Sequence, residues 1–266
     1  ECLRYYMIEY HIDGFILNPQ IAPMEAIYAD PILKKTKIMV HRTEFQTVMR
    51  RFLKGDEGMV EGVMYWLRHV SEKDGIFNCI TNQNGFTLCD LVSYDRKHNE
   101  ANGENNQDGP EYNYSWNCGA EGMTRKKAIV SLRERQVQNA FFLLLLAQGT
   151  PCILAGDEFG NTQKGNNNVY CQDNPTGWTD WSRLEQKKEL HDFVKGLIAV
   201  RKRYPVFMPK EEMRGMDQAR CGIPDVSYHG ESAWRVPSEV YSRQIGVYYS
   251  GMAAGGEDCF IAYNMH

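Results

Sequence analysis

The chain has 266 residues, of which 42% are hydrophobic and 24% are charged, and its net charge is −4 with an isoelectric point near 6.0. This composition is ordinary for a soluble globular protein, and the length suits one large domain or one and a half. It provides no basic surface for nucleic acid or for an anionic membrane, so we expect an uncharged partner instead.

The eight cysteines show no C-x-x-C pair and no regular spacing. This argues against a zinc site or a disulfide framework, so we predict no metal and no cofactor. We interpret the cysteines as reduced, in a cytosolic protein. The longest apolar run, residues 140–147, is far shorter than the roughly 20 residues of a membrane helix. No leader is visible, and the start at Glu1 suggests a chain cut from a longer one.

The first predicted elements are a helix and two strands. Residues 3–10 have helix-like spacing, and the apolar run 11–18 ends in a polar residue, as a barrel strand should. Residues 76–81 form a second apolar, β-rich run.

A long polar loop follows within residues 82–122 and contains very few aliphatic side chains. A loop of this length is usually functional or disordered. Tyr112, Tyr114 and Trp116 favour function, since disordered segments are poor in aromatic residues. The alternative is an ordered surface loop that is packed by its own aromatic side chains.

The second half of the sequence predicts two helices and a short strand, followed by a region of short β-type runs. A helix is expected over residues 128–148 and a buried strand over 152–155. Apolar residues at helical spacing predict another helix from about Leu190, whose last turn carries Arg201, Lys202 and Arg203 before Pro205. From about residue 206, short β-type runs appear, such as 244–249 and 259–263.

Two groups of motifs carry a family resemblance. They are residues 91–94 (LVSY), 97–105 (KHNEANGEN) and 114–119 (YSWNCG), then 148–151 (QGTP), 155–160 (AGDEFG) and 165–174 (GNNNVYCQDN). In this order they resemble the isoamylase and glycogen debranching branch of the α-amylase superfamily, glycoside hydrolase family 13. The resemblance implies a (β/α)8 barrel that cleaves α-1,6 branch links in glycogen or starch, followed by an antiparallel β domain.

The resemblance also predicts which part of that barrel is present. Residues 1–205 would be its C-terminal part, about strands four to eight, and residues 206–266 an incomplete C-terminal β domain. Residues 47–55 resemble a segment that the family places beyond strand six, so that strand is missing or merged with strand five. Half a barrel exposes sheet edges, so we expect a preceding N-terminal segment or another chain to complete it.

None of the three catalytic acids that the resemblance implies stands at its position. Asn18 occupies the place of the nucleophile, His41 that of the proton donor and Asn84 that of the stabilising Asp. Retaining hydrolysis needs two carboxyl groups about 5–5.5 Å apart, and an amide is a poor nucleophile. We therefore expect no ordinary debranching activity. The alternative is an active hydrolase with displaced acids, although Asp13 lies mid-strand and Glu44 lies three residues past the expected site.

The binding loops keep the side chains that suit a sugar. Sugars are held by amide and carboxylate hydrogen bonds beneath aromatic faces. The predicted substrate-binding residues are His98, Asn99, Glu100, Trp116, Asn166, Asn167, Asn168, Tyr170, Gln172, Asp173 and Trp178. The alternative is that these residues only brace neighbouring loops. The family pattern makes Asp157 and Glu158 loop-supporting acids.

The preferred hypothesis is a catalytically degenerate isoamylase-type protein. It would bind α-glucan, as glycogen, starch or branched maltodextrin, or support an active debranching subunit. We expect it in the cytoplasm, or in the plastid if the source is a plant.

Overall fold

The computed structural model describes residues 1–41, 43–70, 75–237 and 239–266, and the side chains of His41 and Ile76 lie outside the described part. Seven strands in this part form two sheets. The strands are β1 (Gly14–Leu17), β2 (Lys37–His41), β3 (Gly75–Asn78), β4 (Thr150–Pro151), β5 (Val226–His229), β6 (Gln244–Tyr249) and β7 (Cys259–Asn264).

The first sheet is parallel and has the order β1-β2-β3-β4. Phe15 is in register with Ile38, and Phe77 with Thr150. β2 pairs directly with β3, and among the described residues no strand lies between them along the chain. That strand six is missing or merged with strand five stays a prediction.

Nine α-helices connect and cover the strands in the described residues. They are α1 (Cys2–Tyr10), α2 (Met24–Ala29), α3 (Glu44–Lys54), α4 (Val60–Arg68), α5 (Leu88–Leu91), α6 (Lys127–Leu145), α7 (Arg183–Gln186), α8 (Lys188–Arg203) and α9 (Gly251–Ala254). The predicted helices at residues 3–10, at 128–148 and before Pro205 are confirmed as α1, α6 and α8, with bounds that differ by up to three residues.

The helix α3 shows how the apolar pattern produces a buried face. Phe45, Met49 and Phe52 follow at intervals of four and three residues and are all buried. The helix ends at Gly55, which has a φ of 86° and donates its main-chain N–H to Phe52. Only glycine adopts this left-handed conformation without a steric penalty, so Gly55 ends the helix.

The helices α6 and α8 pack against each other and hold the end of the first sheet. The rings of Phe142 and Phe193 lie 5.5 Å apart between them. Arg201 is buried, and its guanidinium donates to the carbonyls of Leu145 at 2.7 Å and Ala147 at 2.6 Å, and to that of Gly149. It therefore binds the carbonyl of the last residue of α6 and two carbonyls of the segment that follows this helix. The prediction that Arg201 interacts with the dipole of its own helix missed this role.

The strand predicted at residues 152–155 is wrong in position, because the structure places β4 at Thr150–Pro151. Proline has no N–H to donate to a sheet. The N–H of Cys152 supplies the next bond of the ladder, to the carbonyl of Asn78 at 2.7 Å. The chain then turns, with a bond from the N–H of Asp157 to the carbonyl of Leu154.

The second sheet is antiparallel, with the order β5-β6-β7. The β-type runs predicted at 244–249 and 259–263 are confirmed as β6 and β7. One apolar core extends from α3, α4, α6 and α8 to the inner face of this sheet, where Val247 and Tyr249 are fully buried. The domain division at 205/206 stays a prediction, since Val206 lies inside this shared core.

Within the four described ranges, no helix combines the length and the apolar character that spanning a lipid bilayer requires.

Candidate functional site

The positions that the resemblance assigns to catalysis follow the ends of the parallel strands. Asn18 comes directly after β1, and its side-chain oxygen accepts a bond of 3.0 Å from the main chain of Gln20. Asn84 lies beyond β3, and its main-chain N–H donates to Asn82 at 2.9 Å. Both amides are exposed. His41 ends β2, and its side chain lies outside the described part.

The two displaced acids lie at different ends of the first sheet. Asp13 immediately precedes β1, so it stands at the edge opposite to Asn18. Glu44 is the first residue of α3, which follows β2, and its side chain is exposed. Of the two, only Glu44 therefore lies at the edge where the carboxyl ends of the strands meet.

Asp157 is buried after β4 and ties two segments together. Its carboxylate accepts a bond from the hydroxyl of Thr81 and one of 2.8 Å from the main-chain N–H of Leu88. Burial raises the pKa of Asp157 to about 7, against the lowering effect of these two bonds. Asp157 is thus a loop-supporting acid by its contacts, while the side chain of Glu158 accepts from the main chain of Gly156 at 2.9 Å.

Two polar loops, the first at residues 98–118 and the second at residues 165–178, are joined by the asparagine cluster, which we define as Asn99, Asn102, Asn166, Asn167 and Asn168. The side-chain amide of Asn99 donates to the side-chain oxygen of Asn167 at 2.8 Å. In return, the main-chain N–H of Asn167 donates to the side-chain oxygen of Asn99 at 2.9 Å. Asn166 donates to Asn102 at 2.8 Å. Asn99 and Asn167 are 0% and 1% exposed, so these amides are not available to a ligand.

Asp108 lies at the centre of the asparagine cluster. Its carboxylate accepts from Asn102 at 2.7 Å and from Asn168 at 2.9 Å. The bond from Asn102 is the largest effect on its pKa, which lies below the usual range of an aspartate. Lys97 is buried, donates to the Asp108 carbonyl at 3.0 Å and forms an ion pair with Glu111.

The main chain approaches the asparagine cluster closely at Gly109. A Cβ atom there would lie 2.3 Å from the side-chain oxygen of Asn167, and its φ of 73° is left-handed. Both features require glycine. For Asn99, Asn166, Asn167 and Asn168, the structure therefore favours the bracing alternative over direct contact with a sugar.

The exposed predicted residues lie on the outer side of the second loop. Tyr170 is 67% exposed, and its hydroxyl donates to Glu104. Trp178 is 55% exposed, and its indole N–H donates to Asp173 at 2.9 Å. Gln172 donates to Asn102 at 2.8 Å, which connects this surface to the asparagine cluster.

The remaining predicted residues have varied surroundings. Trp116 is half-buried against the main apolar core. His98 is exposed and forms a 3.1 Å bond with Glu121. Glu100 is exposed at the start of the short 3-10 helix Glu100–Asn102. Trp116 therefore packs against the core, and only part of its ring is exposed for stacking.

Sequence reasoning missed Trp181. It is 69% exposed, and its ring lies 5.3 Å from the ring of the buried Phe159 at an angle of 34°. It stands three residues after Trp178, and the string Trp-Thr-Asp-Trp was the signal that could have found it. We define the aromatic rim as Tyr170, Trp178 and Trp181.

A separate cleft lies elsewhere. It has a volume of about 750 Å³ between α6 and α8, and Tyr94, Arg133 and Lys187 are among its lining residues. Lys187 forms a 2.8 Å ion pair with Glu134 there. None of the predicted site residues lines this cleft.

Comparison with known proteins shows similarity to glucan-debranching proteins. The chain is 32% identical to the glycogen operon protein GlgX homolog of Mycobacterium tuberculosis, over 97% of this chain and 42% of that protein. It is 33% identical to isoamylase 3, chloroplastic, of Oryza sativa subsp. japonica, over 100% of this chain and 38% of that protein. No family model matches.

Solved structures confirm the fold. The chain superimposes on a pullulanase from Paenibacillus barengoltzii complexed with maltotriose with a TM-score of 0.67, at 17% identity, over 99% of this chain and 43% of that one. The predicted fold class is confirmed: a partial (β/α)8 barrel followed by an antiparallel β region. The chain spans about two fifths of the length of the proteins that it matches.

Proposed function

Because the chain belongs to the isoamylase and glycogen debranching branch of the α-amylase superfamily, we propose that it acts in α-glucan metabolism without cleaving branch links itself. In this proposal it binds α-glucan or supports an active debranching subunit. The names of its relatives support the glucan part, since they include a glycogen operon protein and an isoamylase.

The observation that carries this proposal is the chemistry at the strand ends. Retaining hydrolysis of a glucoside needs a carboxylate nucleophile and a carboxylic acid as proton donor. Asn18 and Asn84 offer amides at two of the three positions, and both are exposed on turns without any charged partner in the hydrogen bonds that the structure gives them. His41 stands at the third position. An amide cannot form a stable glycosyl ester, so the double-displacement route has no first step.

Binding has a better basis than catalysis. The aromatic rim offers exposed faces for stacking, and Asp173 and Gln172 place a carboxylate and an amide beside it. The asparagine cluster holds this surface in one conformation, since it fastens residues 166–168 to the first loop. A preorganised surface loses less entropy when it binds a flexible chain.

A second candidate function is an active hydrolase that uses a displaced acid. The placement of Glu44 favours it, because this exposed carboxylate lies next to the carboxyl end of β2. Asp13 does not suit this role, since it lies at the opposite end of β1. One carboxylate without a second at about 5–5.5 Å does not complete the retaining mechanism.

The two functions are separated by assaying binding and cleavage on the same protein. We expect the unaltered chain to bind branched maltodextrin in affinity electrophoresis and to release no new reducing ends from it. The variants Asn18→Asp, His41→Glu and Asn84→Asp, singly and combined, test whether all three acids are needed for any cleavage. Branch cleavage by the unaltered chain that Glu44→Gln abolishes would replace the first function with the second.

The proposal extends to partners and compartment. A preceding segment or an active debranching subunit would pair with the open edge of β1, which has β2 on one side only among the described residues. The cytoplasm is the proposed location, or the plastid in a plant, as the name of the rice relative is chloroplastic. We also propose the division into residues 1–205 and 206–266 as barrel part and β domain.

A further inference from the structure

Two free cysteines follow the ends of adjacent parallel strands. Cys79 comes directly after β3 and Cys152 directly after β4. The preceding residues, Asn78 and Pro151, are in register, and the N–H of Cys152 donates to the Asn78 carbonyl at 2.7 Å. The ladder thus continues by one residue, which makes Cys79 and Cys152 the next pair.

This register brings the two thiols within reach of each other. Neighbouring strands lie about 4.8 Å apart, and residues in register on parallel strands point to the same face of the sheet. A disulfide needs Cα atoms about 4.4–6.8 Å apart and Cβ atoms about 3.5–4.5 Å apart. A Cα separation equal to this strand spacing falls within the first range, and a small approach of the Cβ atoms is then enough. β4 contributes only two residues to the sheet, so little structure opposes that movement.

We propose that Cys79 and Cys152 are a redox-modification site, at which a low-molecular-weight disulfide such as glutathione disulfide converts the two thiols into a reversible disulfide. The Cys152 thiolate attacks glutathione disulfide, forms a mixed disulfide and releases one glutathione thiolate. The Cys79 thiolate then attacks the Cys152 sulfur, forms the Cys79–Cys152 bond and releases the second glutathione. Two protein thiols are oxidised and one glutathione disulfide is reduced to two glutathiones.

The order of the two steps follows from exposure. Cys152 is partly exposed, whereas Cys79 is 1% exposed, so glutathione disulfide reacts with Cys152 first. The Cys79 sulfur accepts weak bonds from the amides of Gln46 and Asn82, at 4.0 Å and 3.9 Å, which stabilise a thiolate there. Burial nevertheless raises the pKa of Cys79 to about 11, and Cys152 contributes to the rise. We therefore expect slow oxidation that accelerates as the pH rises.

The bond would connect two segments that follow the ends of β3 and β4. Cys79 precedes the turn at Asn82 and Asn84, and Cys152 precedes the segment that leads to Asp157. Joining them would restrict both segments. The expected consequence for glucan affinity rests on the proposed function, whereas bond formation does not.

The test uses the unaltered chain and three variants, Cys79→Ser, Cys152→Ser and Cys171→Ser, incubated with glutathione disulfide at mildly alkaline pH. Intact mass, peptide mapping and the thiol count after denaturation are the measurements. Cys171 is a matched control because it is an exposed cysteine outside the pair. Far-ultraviolet circular dichroism checks that each variant is folded.

We expect the unaltered chain and Cys171→Ser to lose two hydrogen atoms and to yield a peptide pair linked at Cys79 and Cys152. Cys79→Ser should retain glutathione on Cys152, and Cys152→Ser should form no disulfide at Cys79. A stable glutathione adduct on Cys152 of the unaltered chain would overturn the proposal. A disulfide from Cys79 or Cys152 to any other cysteine of the chain would do the same. Glucan binding before and after oxidation is measured separately, so that a chain that binds no glucan still tests the disulfide.

Discussion

Asn99 and Asn167 form a reciprocal pair across 68 residues of sequence, with one bond of 2.8 Å between their side chains and one of 2.9 Å from the main chain of Asn167. Asn167 also donates to the Pro110 carbonyl at 2.9 Å and to Asn113 at 3.1 Å. The two polar loops are thus held together by buried amides that have no access to solvent.

We expect Asn99→Ala to lower the free energy of unfolding by about 1–3 kcal/mol, because it leaves buried groups of Asn167 without partners. Urea denaturation measures the change. Gln107→Ala is the matched control, since Gln107 is an exposed amide in the same loop, and its effect should stay within about 0.5 kcal/mol. Equal effects of the two substitutions would show that the pair does not hold the loops.

Arg201→Ala should lower the free energy of unfolding by at least about 3 kcal/mol. It removes a buried cation and leaves the carbonyls of Leu145, Ala147 and Gly149 without their donor. Arg203→Ala is the control on the same helix, since Arg203 is exposed and forms an ion pair of 3.7 Å with the exposed Glu257. Thermal unfolding of both variants checks the difference, and a similar melting temperature for the two would contradict it.

Arg201 also shows which features of α8 could be predicted from the sequence. The run Arg201, Lys202 and Arg203 looks like a basic last turn, which predicts the helix end correctly. Only the spacing distinguishes the three, because Arg201 follows Val194 and Leu197 at seven and four residues and so shares their buried face. Helix α8 could be predicted from that period, and the role of Arg201 could have been inferred from it.

The loops were less predictable, because their structure depends on distant partners. The sequence indicated two polar, aromatic-containing segments, but nothing local to Asn99 or Asn167 distinguishes a buried amide from one that faces a sugar. The bonds join residues 68 and 54 positions apart. The exposed fraction of each side chain separates the two roles, and this fraction is set by the folded structure and not by the local sequence.

Asp157 predicts a pH dependence of stability. Its pKa is about 7 in the folded chain against an ordinary value of 3.8, mainly because of burial. A carboxyl with a raised folded-state pKa contributes stability that is complete below the unfolded pKa and is lost as the pH rises through the folded pKa. The contribution of Asp157 is therefore lost between about pH 4 and pH 7.

We expect Asp157→Asn to gain stability relative to the unaltered chain as the pH rises from about 5 to about 8, by an amount on the order of a few kcal/mol. Melting temperatures of both proteins across this range are the measurement. Asp192→Asn is the control whose stability difference should stay constant over this range, since the bond from Lys188 holds the pKa of that exposed carboxyl below its usual range. A stability difference that does not change with pH would show that Asp157 is charged throughout.

Glucan affinity should depend on the aromatic rim and not on the lost acids. Catalytic groups act mainly on the transition state, whereas stacking acts on the bound ground state. We expect a Kd in the millimolar range for branched maltodextrin, which corresponds to about −4 kcal/mol. Trp178→Ala and Tyr170→Ala should each weaken binding roughly tenfold, since an aromatic contact of this kind contributes about 1.4 kcal/mol. Isothermal calorimetry measures both.

Two further substitutions show where the glucan binds. Trp234→Ala is the matched control, because Trp234 is 62% exposed but belongs to the segment between β5 and β6, and its loss should leave the affinity unchanged. Trp116→Ala should instead lower the melting temperature, since Trp116 packs against the main core. Affinity that falls with Trp234→Ala and not with Trp178→Ala would place the glucan on the β domain. A chain that binds no glucan at all would leave support of an active debranching subunit as the surviving part of the proposed function.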